Sequence, residues 1–191
     1  MTSEQAEVAP SARERIERAA LSLFREHGLR GVSADRIIAR AEVSKVTFYR
    51  HFPSKDDLII AYLQREWDEV RTTAAELTRT LPDDAQDLDV VVGLFRDQVC
   101  SPGFRGCPFI NAAAELPDHD HPASVLIRHY RAWLTTEYAD RLRASHIDDP
   151  ESRAREIVML RDGAMVAGYL TDDTEQVVAG FERALRRIVA A

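Results

Sequence analysis

From Ala12 to Ala190 the apolar residues recur every three or four positions, and no run alternates long enough to make a strand. That spacing is the period of an α-helix with a buried stripe. It restricts the chain to helix-on-helix packing before any other property is considered. Glycines and prolines, eight of each, mark boundaries rather than filling strands. A first helix is predicted over residues 12–27, with Ile16, Ala19, Ala20, Leu23 and Phe24 on one stripe and Gly28 placed to end it in a left-handed residue. Ser33 precedes Ala34-Asp35-Arg36 and reads as the N-cap of a second helix carrying Ile37, Ile38 and Ala41. Ser44 caps a short third helix that ends near His51. Pro53 stops it, and Ser54 caps a long fourth helix over 55–80, with Asp56 and Asp57 in its first turn. Further helices are expected at 85–99, 109–116, 123–145, 150–170 and 174–190, and residues 1–9 read as a loose tail. The expected fold is all-α, with about nine helices and the short loops of antiparallel packing.

Composition narrows the class. The chain has 191 residues, 45% apolar and 30% charged, which is too apolar for a disordered chain. No stretch approaches the roughly 18 apolar residues of a membrane span. The first twenty residues mix acidic groups with no apolar run, unlike a signal peptide. Two cysteines make no disulfide framework. A soluble cytoplasmic protein is the expectation. The net charge of −7 is unevenly spread: residues 1–55 carry +3 and residues 56–191 carry −10. A basic start on an acidic body points to a polyanion contact at one end only.

That end has the layout of a helix-turn-helix: two short helices separated by a few residues, the second rich in polar and hydroxyl side chains. Ile37, Ile38, Ala41 and Val43 pack the second helix on the first. Phe48 and Phe52, four apart, share one face and fill the core. Ser44, Lys45, Thr47, Tyr49 and Arg50 remain for the opposite side. These are short donors, cations and an aromatic hydroxyl, suited to phosphates and base edges in a major groove.

The run VSADRIIARAEVSKVTFYRHFPSKDDLI (32–59), with the preceding Phe24-x-x-x-Gly28 ending and the Tyr49-x-His51-Phe52-x-x-Lys55 string, resembles the DNA-binding signature of TetR-family transcriptional regulators. Order, spacing and residue type agree over about 50 residues, and the total length and helical remainder also fit that family. GCPFINAAAELPD (106–118) is similar to a segment in some members' ligand-binding domains. The resemblance implies that Ser44, Lys45, Val46 and Thr47 lie at the groove. It also implies that Tyr49, His51, Lys55 and the N-cap Ser33 touch phosphate, with the helix terminus helping Lys55. Two positions depart from the family pattern. Glu42 replaces a usual turn glycine, which costs strain if the turn is left-handed, and Val46 replaces a frequent glycine and adds bulk suited to a thymine methyl.

The organisation that follows is a tail over 1–9, a helix-turn-helix domain over 10–54, and a ligand-binding and dimerisation domain over 55–191. Trp67, Phe95, Phe104, Phe109, Tyr130 and Trp133 are the candidate pocket walls, and Asn111 and Glu115, four apart, either supply polar groups inside the pocket or face solvent. The last two helices are apolar beyond one stripe, so Ile157, Leu160, Ala164, Met165, Gly168, Val177, Phe181 and Leu185 are the candidate homodimer interface. The expected partners are double-stranded operator DNA, a small-molecule effector and a second copy of the chain. No cofactor and no metal are expected. Asp118-His119-Asp120-His121 carries metal-ligand types, but His121-Pro122 suits a helix start better. Cys100 and Cys107 flank a glycine-proline stretch and read as inert thiols before a redox pair. The competing function is a helical enzyme or carrier with an incidental helix-turn-helix. No phosphate loop, HExxH pair or serine elbow supports it.

Overall fold

Serine caps decide where the first helices of the chain begin. In the computed structural model, which describes residues 9–80, 87–116 and 118–190, Ser11 opens α1 (Ala12–His27) with a full capping box: its Oγ accepts from the Glu14 N–H at 3.3 Å, and its own N–H donates to Glu14 Oε2 at 2.7 Å. Ser33 Oγ accepts from the Arg36 N–H at 3.2 Å and opens α2 (Ala34–Ala41). Ser44 does the same for α3 (Lys45–His51), accepting from the Thr47 N–H at 3.0 Å. Ser54 opens α4 (Lys55–Thr80), exchanging hydrogen bonds with Asp57 in both directions. Each cap satisfies amide groups that the first helical turn leaves without a partner. α1 ends at Gly28, whose φ of 74° is open to a residue without a Cβ.

Five more helices follow: α5 (Asp87–Val99), α6 (Pro108–Glu115), α7 (Pro122–Ala144), α8 (Pro150–Tyr169) and α9 (Thr174–Ala190). The described residues thus hold nine helices and no strand, as the apolar period predicts. The expected tail lies, but for Ala9, outside the described residues, and so does the expected start of the fifth helix at 85 and 86. The described residues group into two compact units, and the division falls between Tyr62 and Leu63, inside α4.

The first unit packs α1, α2 and α3 on one another. Ile16, Ala20 and Phe24 from α1 meet Ile37, Phe48 and Phe52, all buried. Tyr62 closes this core, its ring 5.4 Å from that of Phe24. Arg15 ties α1 to the end of α2 by donating from Nε to the Ala41 carbonyl at 3.2 Å.

In the second unit α7 and α8 run antiparallel, as two pairings show: Arg131 meets Asp162 at 2.6 Å, while Arg143 reaches Glu151 across the turn at 2.5 Å. α9 folds back on α8, and α5 lies against α7, α8 and α9. Phe95 of α5 stacks on Phe181 of α9, ring centroids 4.1 Å apart. Gly168 lets α8 approach α5: a Cβ there would stand 2.9 Å from a Val99 methyl carbon. No helix among the described residues is long and apolar enough to cross a membrane.

Candidate nucleic-acid interface

α2 and α3 are joined by three residues, Glu42, Val43 and Ser44. The reversal is made at Glu42, whose φ of 53° and ψ of 48° are left-handed. Its N–H donates to the Ala39 carbonyl and that of Val43 to the Ile38 carbonyl, both at 3.3 Å, which closes the end of α2. A residue with a Cβ costs about 1–2 kcal/mol in this conformation, the strain expected where glutamate replaces glycine.

With the turn fixed, α3 has two unlike faces. Phe48 is 0% exposed and Phe52 just beyond the helix 2%, their rings 6.4 Å apart in the core. On the other side Val46 is 78% exposed and Tyr49 42%. Ser44, Lys45 and Arg50 are exposed, and Thr47 and His51 are half-buried. The Ser44 and Thr47 hydroxyls hydrogen-bond each other at 2.8 Å, so this pair of small polar groups is held in one place. Lys45 Nζ lies 3.5 Å from an Asp35 oxygen, both side chains exposed. An exposed pair of this kind is worth only about 0–1 kcal/mol, so Lys45 is readily exchanged to another anion. Ser33 is exposed at the start of α2, and Lys55 is half-buried in the first turn of α4. None of the eight residues predicted to touch DNA lies in the core.

This outward surface of hydroxyls, cations and one large apolar side chain, on a short helix held by two phenylalanines, is what major-groove reading needs. Known proteins agree. The family model for bacterial regulatory proteins of the tetR family matches residues 16–62. SCO4454, a TetR-family transcriptional regulator from Streptomyces coelicolor, is 38% identical to this chain over 94% of each, with a TM-score of 0.86. The chain belongs to the TetR family. It is a DNA-binding transcriptional regulator, which decides against the helical-enzyme reading. The HTH-type transcriptional activator FasR of Mycolicibacterium smegmatis is 37% identical over 89 residues, which is 46% of this chain and 41% of FasR. An HTH-type transcriptional regulator of Staphylococcus aureus is 40% identical over 60 residues, 31% of this chain and 32% of that protein. The chain thus spans well under half the length of these two relatives. Reduced Escherichia coli NemR shares the fold, with a TM-score of 0.79 over 93% of this chain and 96% of NemR, at 20% identity.

In the second unit of this TetR-family chain, four of the six predicted aromatic walls come together. Phe109 of α6 stacks on Tyr130 of α7, centroids 3.6 Å apart and planes within 7°. Trp67 of α4 and Trp133 of α7 each lie 5.9 Å from Tyr130 and 5.8 Å from one another. Phe95 is not among them: its partner is Phe181, because α5 presents it to α9. Phe104 lies instead beside Gly168. Asn111 takes the outward of its two expected placements. It is exposed, and its amide donates to the Arg105 carbonyl at 2.9 Å, pinning the loop before α6. The sequence reading missed Arg161, which is 3% exposed and borders this cluster, 3.4 Å from the Tyr130 hydroxyl. Burial works against its charge, but the guanidinium, whose pKa stays above the ordinary arginine value, remains protonated. Burial pushes the Tyr130 and Tyr138 hydroxyls above the usual tyrosine range, so both keep their protons. A signal for Arg161 was available: it stands four residues after Ile157 and four before Met165, in the apolar stripe of its helix.

Five of the eight predicted dimer residues are not on the surface of the protomer. Ile157, Met165, Gly168, Phe181 and Leu185 are buried inside one protomer, and Leu160, Ala164 and Val177 are half-buried. α8 is apolar on two sides, and Ile157, Met165 and Gly168 lie on the inner one, which packs against α5, α7 and α9. The outer stripe is Met159, 64% exposed, then Gly163, Val166 and Leu170, the last 76% exposed. The two stripes have the same helical spacing, so periodicity does not say which faces inward. His121 serves as the N-cap of α7, its Nδ1 accepting from the Ala123 N–H at 3.1 Å. Among the described residues no three histidine, cysteine, aspartate or glutamate side chains gather as a metal site. Cys107 is buried and Cys100 exposed, both as free thiols.

Proposed function

We propose that this regulator is a cytoplasmic repressor that binds a palindromic operator as a homodimer and releases it when a small molecule enters the helical unit. The observation that carries the reading is the two-faced α3: Phe48 and Phe52 hold it from behind, and Ser44, Lys45, Val46, Thr47 and Tyr49 are left on the outward side. In this reading Thr47, Lys45 and Val46 meet base edges, the last against a thymine methyl. Ser33, Ser44, Tyr49, His51 and Lys55 hold phosphates and fix register.

The outer stripe of α8 supports the dimer. Met159, Gly163, Val166 and Leu170 form a continuous exposed apolar row, and an isologous contact between two copies covers such a row on both. Two copies then place their α3 helices in successive major grooves, about 34–36 Å apart. The Trp67, Phe109, Tyr130 and Trp133 cluster supports an effector site, with α4 supplying residues to both units. An effector acts only by binding the released conformer more tightly than the DNA-bound one; affinity alone shifts nothing.

FasR is named an activator, so the sign of regulation has its own test. Purified protein is titrated against its own upstream DNA in a mobility shift, then added to a transcription reaction on the same fragment. A shifted band and falling transcript are expected. A rising transcript makes it an activator. No shift at low salt, with a folded dimer confirmed, removes this operator reading.

A further inference from the structure

Arg161 occupies a position where the fold calls for an apolar residue. Its neighbours one turn away, Ile157 and Met165, are both buried, and it is 3% exposed itself. A guanidinium brings five N–H donors and no acceptor. Among the described residues four acceptors face it, and only one is at a normal hydrogen-bond distance. Nη2 donates to Gln98 Oε1 at 2.9 Å and reaches the Tyr130 hydroxyl at 3.4 Å, and Nη1 has the Cys107 sulfur at 3.9 Å. The adjacent carboxylate, Asp162, gives Oδ2 to Arg131 at 2.6 Å. Its Oδ1 stands 3.6 Å from Arg161 Nη1 and makes no hydrogen bond among the described residues. Two arginines thus share one carboxylate, and the buried one has the looser half. Buried charges in proteins are ordinarily paired and fully hydrogen-bonded.

The surroundings point the same way. Tyr130 carries the Phe109 stack and is flanked by Trp67 and Trp133. The Trp67 indole N–H is buried and has no acceptor among the described residues. Arg161, Trp67 Nε1 and the protonated Tyr130 hydroxyl therefore offer donors within flat aromatic walls. Donors in want of acceptors suit an anion, and aromatic faces suit a planar body.

We infer that the helical unit takes an aromatic monocarboxylate, with its carboxylate on Arg161 and its ring among Trp67, Phe109, Tyr130 and Trp133. This rests on the effector reading above and gives that effector a chemical class. The Phe109 and Tyr130 rings are already in contact, so the incoming ring displaces Phe109, and α6 moves with it. A purely structural Arg161, tying Gln98 of α5 to Tyr130 of α7, would leave no preference for anions.

The test compares 2-naphthoate with 2-naphthamide, which share a ring and differ in charge. Binding to the full chain is measured by calorimetry at neutral pH, with operator release followed by mobility shift. The acid should bind at least about ten-fold tighter than the amide, the value of one charge-assisted contact. Arg161→Gln should abolish that preference. Should that variant fail to fold, Trp67→Phe keeps the ring and the arginine. It should weaken both ligands, naphthoate about three- to ten-fold more than naphthamide, because the lost donor served the charged group. Equal affinity for acid and amide overturns the inference, as does failure of both to bind. A parallel thermal-shift screen of neutral and cationic aromatics separates the two levels. If one of these releases operator while naphthoate does not, the carboxylate class falls and the effector response stands. If no compound of any charge releases operator, both fall.

Discussion

The unit ending at Tyr62 turns its polar groups outward, whereas the unit that follows keeps an arginine inside. In the first, Ile16, Ile37 and Phe48 are each 0% exposed, and the hydroxyls of Ser33 and Ser44 sit at helix starts on the surface. In the second, Arg161, Tyr130 and Tyr138 are buried in the same interior. A module that reads a rigid external polymer needs a firm apolar base and a polar outer face. The second unit keeps polar atoms within its core, at some cost in stability. The difference predicts that the same substitution will act differently in the two units.

The largest effect should come from Phe48→Ala. Removing a fully buried ring costs about 3–5 kcal/mol. Operator binding should be lost, while far-ultraviolet dichroism still reports the helices of the second unit. A variant that retains operator affinity would show that α3 is not held from behind by this ring.

The two faces of α8 offer a sharper contrast. Met165→Ala should destabilise the protomer by about 2–5 kcal/mol, read by denaturant titration. Met159→Asp should leave protomer stability within about 0.5 kcal/mol and raise the dimer dissociation constant by a hundred-fold or so, since it buries an unpaired charge in the interface, read by sedimentation. If Met159→Asp remains dimeric at low concentration, the outer stripe is not the interface.

Within the first unit, Lys55→Ala should weaken binding to all DNA sequences and reduce the salt slope by about one. Thr47→Ala should instead change which operator variants are preferred, by about 1–3 kcal/mol between bases. An unchanged slope in the first case, or a uniform loss in the second, would reverse these roles. The smallest effect belongs to Glu42→Gly. Relief of left-handed strain is partly cancelled by the extra freedom of unfolded glycine, so a gain of about 0.5–1 kcal/mol is expected in thermal melts.

Much of the first unit was legible because its signals are local. A serine followed by a helical stripe marks its own cap, and Ser33, Ser44 and Ser54 all cap where the sequence places them. Phe48 and Phe52 are four apart, and the rest of that short helix is polar except for Val46, so only one side can face inward. The second unit was legible in its helix boundaries but not in its faces. α7 and α8 carry apolar residues nearly all round, and periodicity does not rank one stripe above another. Which of its two placements Asn111 takes, and that Phe95 stacks on α9, have a related reason: their partners, the Arg105 carbonyl and the Phe181 ring, are set by how loops and helices meet.

By itself, then, the chain's order of residues determined the nine helices of the described residues, their starts and stops to within a residue or two, the helix-turn-helix and its family. These depend on interactions within a few residues, which sequence spells out. Tertiary packing alone decided that Met159 faces out while Met165 faces in. It also decided that Arg161 is enclosed with Tyr130. Such outcomes depend on which distant surfaces compete for the same stripe, and that contest is resolved only when the helices meet.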